Sequence, residues 1–513
     1  MSSLLIRQAR LVPVGGVAAP AGTLDLRVVG GRVTEIAPNL RAGSTGRTGG
    51  TDGVDEVLDA DGRWLVPGLW DQHVHLGQWA ANSSRLDLSS TTSPDDAVRV
   101  VAAEIAARAG GARDTVVQGF GHRTAGWDRQ PTVAELDAVA GDVPVVLISG
   151  DAHHGWLSSA ALRLLGLPRR EGVVEENDWF PVFARLDEVT QTAEGKRTAY
   201  AKVLDAAVRR GVVGVREMEW ADNATEWAQR SDSGLAVLRV RTATYAVGLA
   251  ETIADGRRSG DVLDEAGLVT MGPLKIISDG SLNTRTAFCH DPYIGTDVLE
   301  HPHGRPNNSP EELAELLAEA TAHGLDVAVH AIGDAAVGVA LDSFERTGAR
   351  GSIEHAQLVA TEDVARMGRL GVVASVQPAH LLDDRDVTFQ CWPDRADRCF
   401  PLRSMLDAGV RLALGSDAPV APLDPWEAMA AAVHRTADER DEWNAAETLT
   451  VEQALAGSVD GATTVGVGSP GDLVLLDADP LGGPSRGPEA AARLRAMRVA
   501  ATVVAGVTTR DAF

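Results

Sequence analysis

The sequence predicts an α/β protein: a (β/α)8 TIM barrel, a small β-sandwich domain formed from both termini, and an inserted subdomain over the barrel mouth. A length of 513 residues allows two or three ordinary domains, or one barrel with attachments. The middle of the chain alternates apolar strand-like runs with helical stretches rich in Ala, Leu and Glu, which is typical of a parallel sheet covered by helices. Short β segments separated by Gly and Pro turns occupy both ends of the chain.

Ten strand candidates follow one another in the middle region, whereas a barrel needs eight. The second and third, 115–121 and 143–150, lie close together around a polar segment, so we assign them to the inserted subdomain. The remaining candidates form the barrel: 67–75, 212–218, 238–245, 272–279, 326–333, 351–358, 371–378 and 411–419. The predicted boundaries are 1–66 and 466–513 for the sandwich, 67–465 for the barrel and about 82–200 for the insertion.

Charge and composition restrict the kinds of binding partner and the cellular compartment that we expect. With 47 basic and 72 acidic residues the net charge is −25, and such a surface repels nucleic-acid backbones and anionic lipid. No apolar stretch reaches the roughly 20 residues of a membrane helix, and Met1–Arg7 lacks the pattern of a signal peptide. The cysteines, Cys289, Cys391 and Cys399, are too few and too irregular for a disulfide framework. We therefore expect a cytoplasmic protein with a small-molecule substrate, with a homodimer as one option.

Ligand-type side chains stand at the ends of the predicted barrel strands, where barrel enzymes have their sites. His73 and His75 end the first strand, and residues two apart in an extended strand point the same way. Two imidazoles so arranged suit a zinc-like ion. His330, His355 and Asp417 each end a later strand and precede a loop. Four histidines and one aspartate in register around one barrel predict a metal site.

Lys275 is unusual because it lies inside a predicted buried strand, in a chain whose only other lysines are Lys196 and Lys202. A buried lysine needs a partner or a shifted pKa. Its amine, unlike a guanidinium, can lose a proton and take up CO2, giving a carbamate that bridges two metals. An ordinary salt bridge to Asp279 or a nearby Glu is the alternative. Glu217, at the end of the second strand, is another candidate for a bridging or capping carboxylate.

These residues resemble the pattern of the amidohydrolase superfamily: H-x-H on strand 1, Lys on strand 4, His on strands 5 and 6, and Asp on strand 8. The resemblance runs nearly end to end and is strongest to the amidohydrolase-3 branch, which contains N-substituted formamide deformylase. The matching stretches are Asp151–Ser159, Lys275–Leu282, His330–Asp334, Ile353–Gln357, Gln377–His380 and Gly415–Pro419. Ser158 and Ala335 depart from the branch, which has Asn and Arg there, and these departures concern substrate contacts.

The resemblance implies a metal-dependent hydrolase that cleaves a C–N amide bond in an N-substituted formamide or another N-acyl amine. It also implies one or two divalent ions, most readily Zn²⁺, and a CO2-derived carbamate on Lys275. The implied ligands are His73, His75 and Asp417 for one ion, His330 and His355 for the second, and Lys275 as the bridge.

Roles in catalysis follow from the same resemblance. Asp417 takes the proton of an activated water and passes it to the leaving amine. His153 in the insert and His380 after strand 7 are candidates for contact with the substrate carbonyl or oxyanion. The substrate-binding candidates are Phe120, Trp127, Trp156 and Asp279. For the three aromatic residues, a place in the core of the subdomain is the alternative.

Other functions on this fold stay open. A deaminase of aromatic bases typically carries a Glu shortly after the strand-5 histidine, whereas the stretch after His330 contains none before Asp334. A cyclic-amide hydrolase shares the metal set but differs in the insert, which here matches the formamide branch. A non-catalytic scaffold tends to lose ligands, and all six are present here.

Overall fold

The computed structural model describes residues 3–41, 55–83, 85–108, 116–122, 124, 127–149, 154–183, 186, 192–294 and 301–511. In this part of the chain, strands form two sheets of eight and one sheet of five. In chain order they are β1 Ser3–Leu11, β2 Leu24–Val29, β3 Arg32–Ala37, β4 Glu56–Asp59, β5 Trp64–Pro67, β6 Leu69–Val74, β7 Leu86–Asp87, β8 Val117–His122, β9 Val145–Ser149, β10 His154–Leu157, β11 Val174–Glu175, β12 Val212–Glu217, β13 Arg239–Tyr245, β14 Val269–Ile277, β15 Val327–Ala331, β16 Gly351–His355, β17 Val373–Val376, β18 Leu412–Leu414, β19 Leu473–Leu476, β20 Val499–Val504 and β21 Val507–Asp511.

Helices alternate with these strands. They are α1 Leu76–Ser83, α2 Pro94–Arg108, α3 Val133–Ala140, α4 Ser159–Leu164, α5 Glu176–Phe183, α6 Ala193–Arg209, α7 Asn223–Asp232, α8 Ala246–Ala254, α9 Pro310–Ala322, α10 Asp334–Thr347, α11 Thr361–Leu370, α12 His380–Cys391, α13 Leu402–Asp407, α14 Pro425–Val433, α15 Val451–Gly457 and α16 Pro488–Arg495. Local sequence sets where they begin: Ser309 caps α9, Glu312 completes a capping box, and Pro310 occupies the first turn.

The barrel consists of β6 and β12–β18, hydrogen-bonded in chain order and parallel throughout. A parallel bridge between Val74 and Ala418 joins the first strand to the end of the last. Gly415 permits this closure, because a Cβ there would lie 2.7 Å from the backbone nitrogen of His73. The predicted eight-stranded barrel is confirmed, and all eight predicted strands are present.

The barrel strands are apolar over nearly their whole length because helices cover the sheet from outside. Every residue of β17 and β18 is buried, and β15 is buried except for His330. Strand residues and the inner faces of the helices share one core, which includes Leu274, Val329, Ile353, Val376, Leu341 and Leu455. Polar residues that interrupt these runs therefore stand out as candidates for function.

Both termini build the second eight-stranded sheet, as predicted. Its order is β21-β20-β19-β5-β1-β2-β3, with β4 added to β1. The two chain ends meet where β5 pairs antiparallel with β19. The apolar faces close over a core that includes Leu4, Ile6, Leu26, Leu65 and Leu475.

The insertion forms its own compact unit, Gly77–Val203, while Met1–Leu76 and Leu204–Phe513 form the other. Its small sheet has the order β11-β10-β9-β8-β7, so the two strand candidates assigned to the insert do lie outside the barrel. Trp127 and Trp156 belong to one of the hydrophobic cores of this unit.

None of the helices in the described ranges combines the length and apolar character needed to cross a membrane. The cysteines Cys289, Cys391 and Cys399 are buried and free.

Candidate metal centre

Three side chains from the first and last barrel strands meet at the seam where the barrel closes. His73 is in β6, His75 follows β6, and Asp417 follows β18. The Nε2 atoms of His73 and His75 lie 3.6 and 3.4 Å from Oδ1 of Asp417. The potential ligand atoms of the three residues all lie within 4.8 Å of one another. The structure therefore brings together the three residues predicted to hold one ion.

A buried carboxylate behind His73 fixes which ring nitrogen faces this site. Oε2 of Glu354 lies 2.6 Å from Nδ1 of His73. A carboxylate in this position keeps the proton on Nδ1 and leaves the Nε2 lone pair available to a metal. Burial lowers the pKa of His73 to about 4, and the charge of Lys275 acts in the same direction, so the ring is neutral at pH 7.

Glu354 itself stays ionised in this buried position. Burial alone raises the pKa of its carboxyl, but the hydrogen bond from His73 and the charges of Lys275 and Arg216 bring that pKa down to about 2. The hydroxyl of Ser352 also donates to Glu354. A charged carboxylate behind the ring increases the basicity of His73 as a ligand.

His355 and His380 form a second group with Asp417. The potential ligand atoms of these three residues also lie within 4.8 Å of one another. Nε2 of His380 is 3.9 Å from Oδ2 of Asp417, and the two imidazole rings are stacked with centroids 6.3 Å apart. The amide oxygen of Gln377 lies 2.8 Å from Nδ1 of His355, so Nε2 of that ring is the free nitrogen. His380 therefore has a ligand geometry besides its predicted contact with substrate.

His330 lies beside this second group but makes contacts of its own. Its ring centroid is 4.6 Å from that of His355. Its Nε2 lies 3.2 Å from the carbonyl oxygen of Gly280 and 3.3 Å from Oδ1 of Asp279. If Nε2 donates to these oxygens, Nδ1 is the nitrogen that can bind a metal. The predicted role of His330 as a ligand stays a prediction.

Asp279 organises the loop that follows β15. It is fully buried. Its carboxylate accepts backbone N–H bonds from Phe288, Ile332 and Gly333 at 2.9, 3.1 and 2.9 Å. These contacts explain why an aspartate follows β14, and its predicted contact with substrate stays a prediction.

Lys275 lies at the centre of the site. Its side chain is buried, and Nζ lies 3.4 Å from Nε2 of His73. Within the described residues it forms no ion pair with Asp279 or with a glutamate, so the salt-bridge alternative has no support there. Burial lowers the pKa of Lys275 to about 8, although the charges of Glu354 and Asp417 oppose this shift.

Asp417 is the ionised carboxylate that lies next to the histidines of both groups. Burial alone raises the pKa of its carboxyl, but His73, His75 and His355 hold it well below its usual range. Two of the candidate ligands also have an unusual backbone: φ is +71° at His355 and +56° at Asp417. Such conformations cost free energy for residues other than glycine and concentrate at functional sites.

Glu217 is buried and hydrogen-bonded away from the histidine cluster. Its carboxylate accepts from the backbone N–H of Leu76 and Glu219, at 3.1 and 3.0 Å, and from the Trp227 indole at 3.3 Å. Burial raises its pKa to about 7. These bonds connect the loops after β6 and β12, and the alternative role as a capping carboxylate stays open.

The residues of the insert that were predicted to contact substrate differ in where they lie. His153 lies outside the described residues. Phe120 is half-buried in β8, whereas Trp127 and Trp156 are buried with their rings 6.1 Å apart. Both indole N–H groups donate to backbone carbonyls, at 3.2 and 2.8 Å. The two tryptophans thus occupy the core of the insert, as the alternative had it, and their contact with substrate stays a prediction.

Ser158, one of the departures from the branch, has a local structural role. Its hydroxyl accepts from the backbone N–H of Ala161 at 3.2 Å and caps α4. It also accepts from the N–H of Val145 at 3.0 Å, so it fixes the helix against β9.

The donor set fits a divalent cation. Nε2 of His380, the ring nitrogen on the side of Asp417, is buried and has no hydrogen-bond partner within the described residues. A buried nitrogen without a partner costs free energy, which a bound ion or its ligands would recover. Imidazole and carboxylate donors together are the set that zinc and similar ions prefer.

A cluster of histidines around one aspartate at the carboxyl ends of barrel strands defines the class of metal-dependent hydrolases. A family model for the Amidohydrolase family matches residues 56–510, and the chain belongs to this family. It is therefore a metal-dependent hydrolase that acts on carbon–nitrogen bonds, as the sequence predicted.

Two relatives and one solved structure of the same fold show how far this likeness extends. The protein LONG AFTER FAR-RED 3 of Arabidopsis thaliana is 29% identical over 79% of this chain and 74% of its own length. N-substituted formamide deformylase of Arthrobacter pascens is 26% identical over 88% of this chain and 89% of its own. The crystal structure of an uncharacterized metal-dependent hydrolase from Pyrococcus horikoshii matches with a TM-score of 0.76 and 23% identity, over 94% of this chain and 99% of that one.

The sequence analysis missed the residues that orient the histidines. Glu354 directly precedes His355, and neighbours in a regular strand point to opposite faces. The positive φ of His355 ends the regular strand, so both side chains reach His73: Glu354 by its hydrogen bond and His355 by a ring 4.9 Å away. The only local signal was a carboxylate inside an apolar strand.

Proposed function

We propose that the protein hydrolyses the C–N bond of N-substituted formamides or other N-acyl amines, with Asp417 as the proton carrier. The observation that carries this proposal is the convergence of His73, His75, His355 and His380 on the two oxygens of Asp417. The likeness to N-substituted formamide deformylase, over 88% of this chain, supports the substrate class.

The residues divide into two metal-holding groups. His73, His75 and Asp417 would hold one ion, most readily Zn²⁺, and His355 with His380 or His330 a second. When bound, such an ion lowers the pKa of a water and polarises the substrate carbonyl. Glu354 and Gln377 keep His73 and His355 in the tautomers with a free Nε2.

Asp417 moves the proton. Its Oδ1 faces His73 and His75, and its Oδ2 lies towards His380. Because the neighbouring histidines hold its pKa well below the usual range, it is an ionised acceptor at neutral pH. Oδ2 takes the proton of the attacking water and then gives it to the leaving nitrogen, so that one group acts as base and then as acid.

Lys275 would supply a bridging carboxylate. Its neutral amine attacks CO2, a C–N bond forms, and one proton is released, leaving an anionic carbamate on Nζ. Burial favours this reaction because it lowers the pKa of Lys275 to about 8, so a part of the amine is neutral near pH 7. Removal of positive charge from the interior also suits a site that must receive cations.

The test is a substrate panel on the zinc-loaded protein: N-substituted formamides, N-acetyl amines, cyclic amides and aminated aromatic bases. We expect release of formate or acetate together with the free amine from the first two classes. Ammonia from the bases, or ring opening of the cyclic amides without any reaction of the formamides, would overturn the proposal. The D417N protein is the negative control for contaminating hydrolases.

A further inference from the structure

The opposite end of the barrel contains a cavity of about 440 Å³. Its wall includes Val327, Gly351 and Val373, the first residues of β15, β16 and β17, and Arg411, which immediately precedes β18. The cavity therefore lies at the amino ends of the strands, whereas the histidine cluster lies at their carboxyl ends. A volume of this size is within the range of small-molecule sites.

Arginine dominates the charge of this cavity. Arg216, Arg241, Arg350 and Arg411 all line it, and Asp326 is the only acidic residue of the lining. Three carboxylates lie on or beside the cavity, those of Asp326, Asp460 and Glu354, so the four arginines leave a local excess of one positive charge in a protein whose net charge is −25. Such a reversal of sign in a concave site focuses a positive potential that attracts anions.

The carboxylates near the cavity do not balance all four guanidinium groups. Arg241 pairs with Asp460 at 3.0 Å, and Arg350 pairs with Asp326 at 3.5 Å. The guanidinium of Arg411 has no ion pair or hydrogen bond within the described part of the chain, and only its backbone carbonyl accepts a bond, from the N–H of Ala374. The exposed guanidinium of Arg411 is therefore the one of the four that no carboxylate of the described residues neutralises.

Arg216 is the innermost of the four. Its NH1 donates to the hydroxyl of Ser352 at 3.1 Å and lies 3.8 Å from Oε1 of Glu354. Its Nε is buried and has no hydrogen-bond partner among the described residues. Burial lowers the pKa of Arg216, and the charges of Arg241 and Arg411 act in the same direction. An anion in the cavity would relieve the repulsion between Arg216 and its neighbours Arg241 and Arg411.

We propose that this cavity binds a small multivalent oxyanion of the phosphate class through Arg216, Arg241, Arg350 and Arg411. These arginines come from different strands and loops around the cavity, an arrangement that surrounds a tetrahedral anion. A planar carboxylate, by contrast, is satisfied by one bidentate guanidinium. The anion is either free phosphate or the phosphate group of a metabolite, and both present the same oxygens to the arginines.

The experiment is calorimetric titration of the zinc-loaded protein with inorganic phosphate. We expect saturable binding of one phosphate per chain. R411Q and R350Q should each weaken it by about tenfold or more, the usual contribution of one charge-assisted hydrogen bond. Both positions are exposed enough to tolerate the change, Arg350 being 88% exposed. R163Q, an exposed arginine of α4 that does not line the cavity, should leave the affinity unchanged.

The D326N substitution should change phosphate affinity in the opposite direction. Removal of the only acidic charge of the lining should tighten phosphate binding severalfold, an effect that a purely structural role of these residues would not produce. A parallel titration with glycerol phosphate separates the two sources. Tighter binding of the ester indicates a phosphorylated metabolite, and tighter binding of inorganic phosphate indicates the free anion; either result supports the site.

Two results would overturn the proposal. One is the absence of saturable phosphate binding up to tens of millimolar. The other is binding whose affinity stays the same in R411Q, R350Q and D326N, because the anion would then bind elsewhere, for example at the metal centre.

Discussion

The two ends of the barrel carry opposite kinds of polar side chain. At the carboxyl ends of the strands, histidines surround Asp417 and Lys275 within a few ångströms. At the amino ends, four arginines line a cavity with one aspartate. The first set can release protons and bind a cation, whereas guanidinium groups stay charged and bind anions. Opposite ends of the same set of strands thus carry two chemically different clusters of side chains.

Glu354 connects the two ends. It accepts from Nδ1 of His73 on one side and lies 3.8 Å from the guanidinium of Arg216 on the other. A buried carboxylate between the histidine cluster and a basic cavity is thus held ionised from both directions.

D417N should lower kcat by roughly a hundredfold to ten-thousandfold, the usual contribution of a general acid–base group. The amide oxygen still offers a ligand atom, so we expect zinc content to persist, and elemental analysis alongside steady-state kinetics checks both. The matched control is D232N, at an exposed position at the end of α7. Near-normal kcat in D417N would refute the proton transfer.

E354Q should weaken zinc binding by about ten- to a hundredfold, because the amide keeps the hydrogen bond to His73 but removes the charge behind it. Competition with a chelator of known affinity measures the change. E315Q, an exposed position in α9, is the control. Unchanged zinc affinity in E354Q would show that the negative charge of Glu354 does not strengthen His73 as a ligand.

The reactivation of metal-free protein by zinc should depend on pH through Lys275. A protonated ammonium has no lone pair for CO2, so carbamate formation is slow below the pKa of about 8 and increases as pH rises through it. At a fixed concentration of dissolved CO2, the neutral fraction rises from ~10% at pH 7 to ~90% at pH 9, and the rate should increase about ninefold. K275R should show no response to CO2. A rate independent of pH and CO2 in the unmodified protein would argue against the carbamate.

D264A should affect stability without affecting chemistry. Asp264 lies in the turn before β14, at the amino end, and accepts from the Ser231 hydroxyl and from the backbone N–H of Leu268 and Val269. Loss of these bonds should lower the free energy of unfolding by about 1–3 kcal/mol, measured by urea denaturation. We expect kcat within twofold of the original value, and a larger fall would mean that the amino end contributes to turnover.

The fold could be predicted from local patterns of apolar and polar residues in the sequence. Apolar runs that separate helical stretches predicted all eight barrel strands, because a strand buried on both faces must be apolar along its length. The two extra strands were correctly assigned to the insert from the polar segment between them. The position of His73, His75 and Asp417 at strand ends followed from the same pattern.

The arrangement of the histidines predicted to hold the second ion was harder to predict from the sequence. The sequence predicted that His330, His355 and His380 lie near one another. It did not predict which nitrogen of each ring faces Asp417. The structure turns Nε2 of His330 towards Gly280 and brings His380 to Asp417 instead. Such choices depend on the tilt of the strands and on the loop after each strand, which periodicity does not encode.

By itself, the sequence determined the barrel, the candidate ligands at the strand ends and the buried lysine. Each of these can be recognised from residues that are close together in the sequence. Only the tertiary structure decided that Glu354 supports His73 across 281 positions and that arginines from separate strands share one cavity. The physical reason is that a charge inside a protein takes its partner from whatever strand folding brings beside it, so the pairing exists only once the barrel has closed.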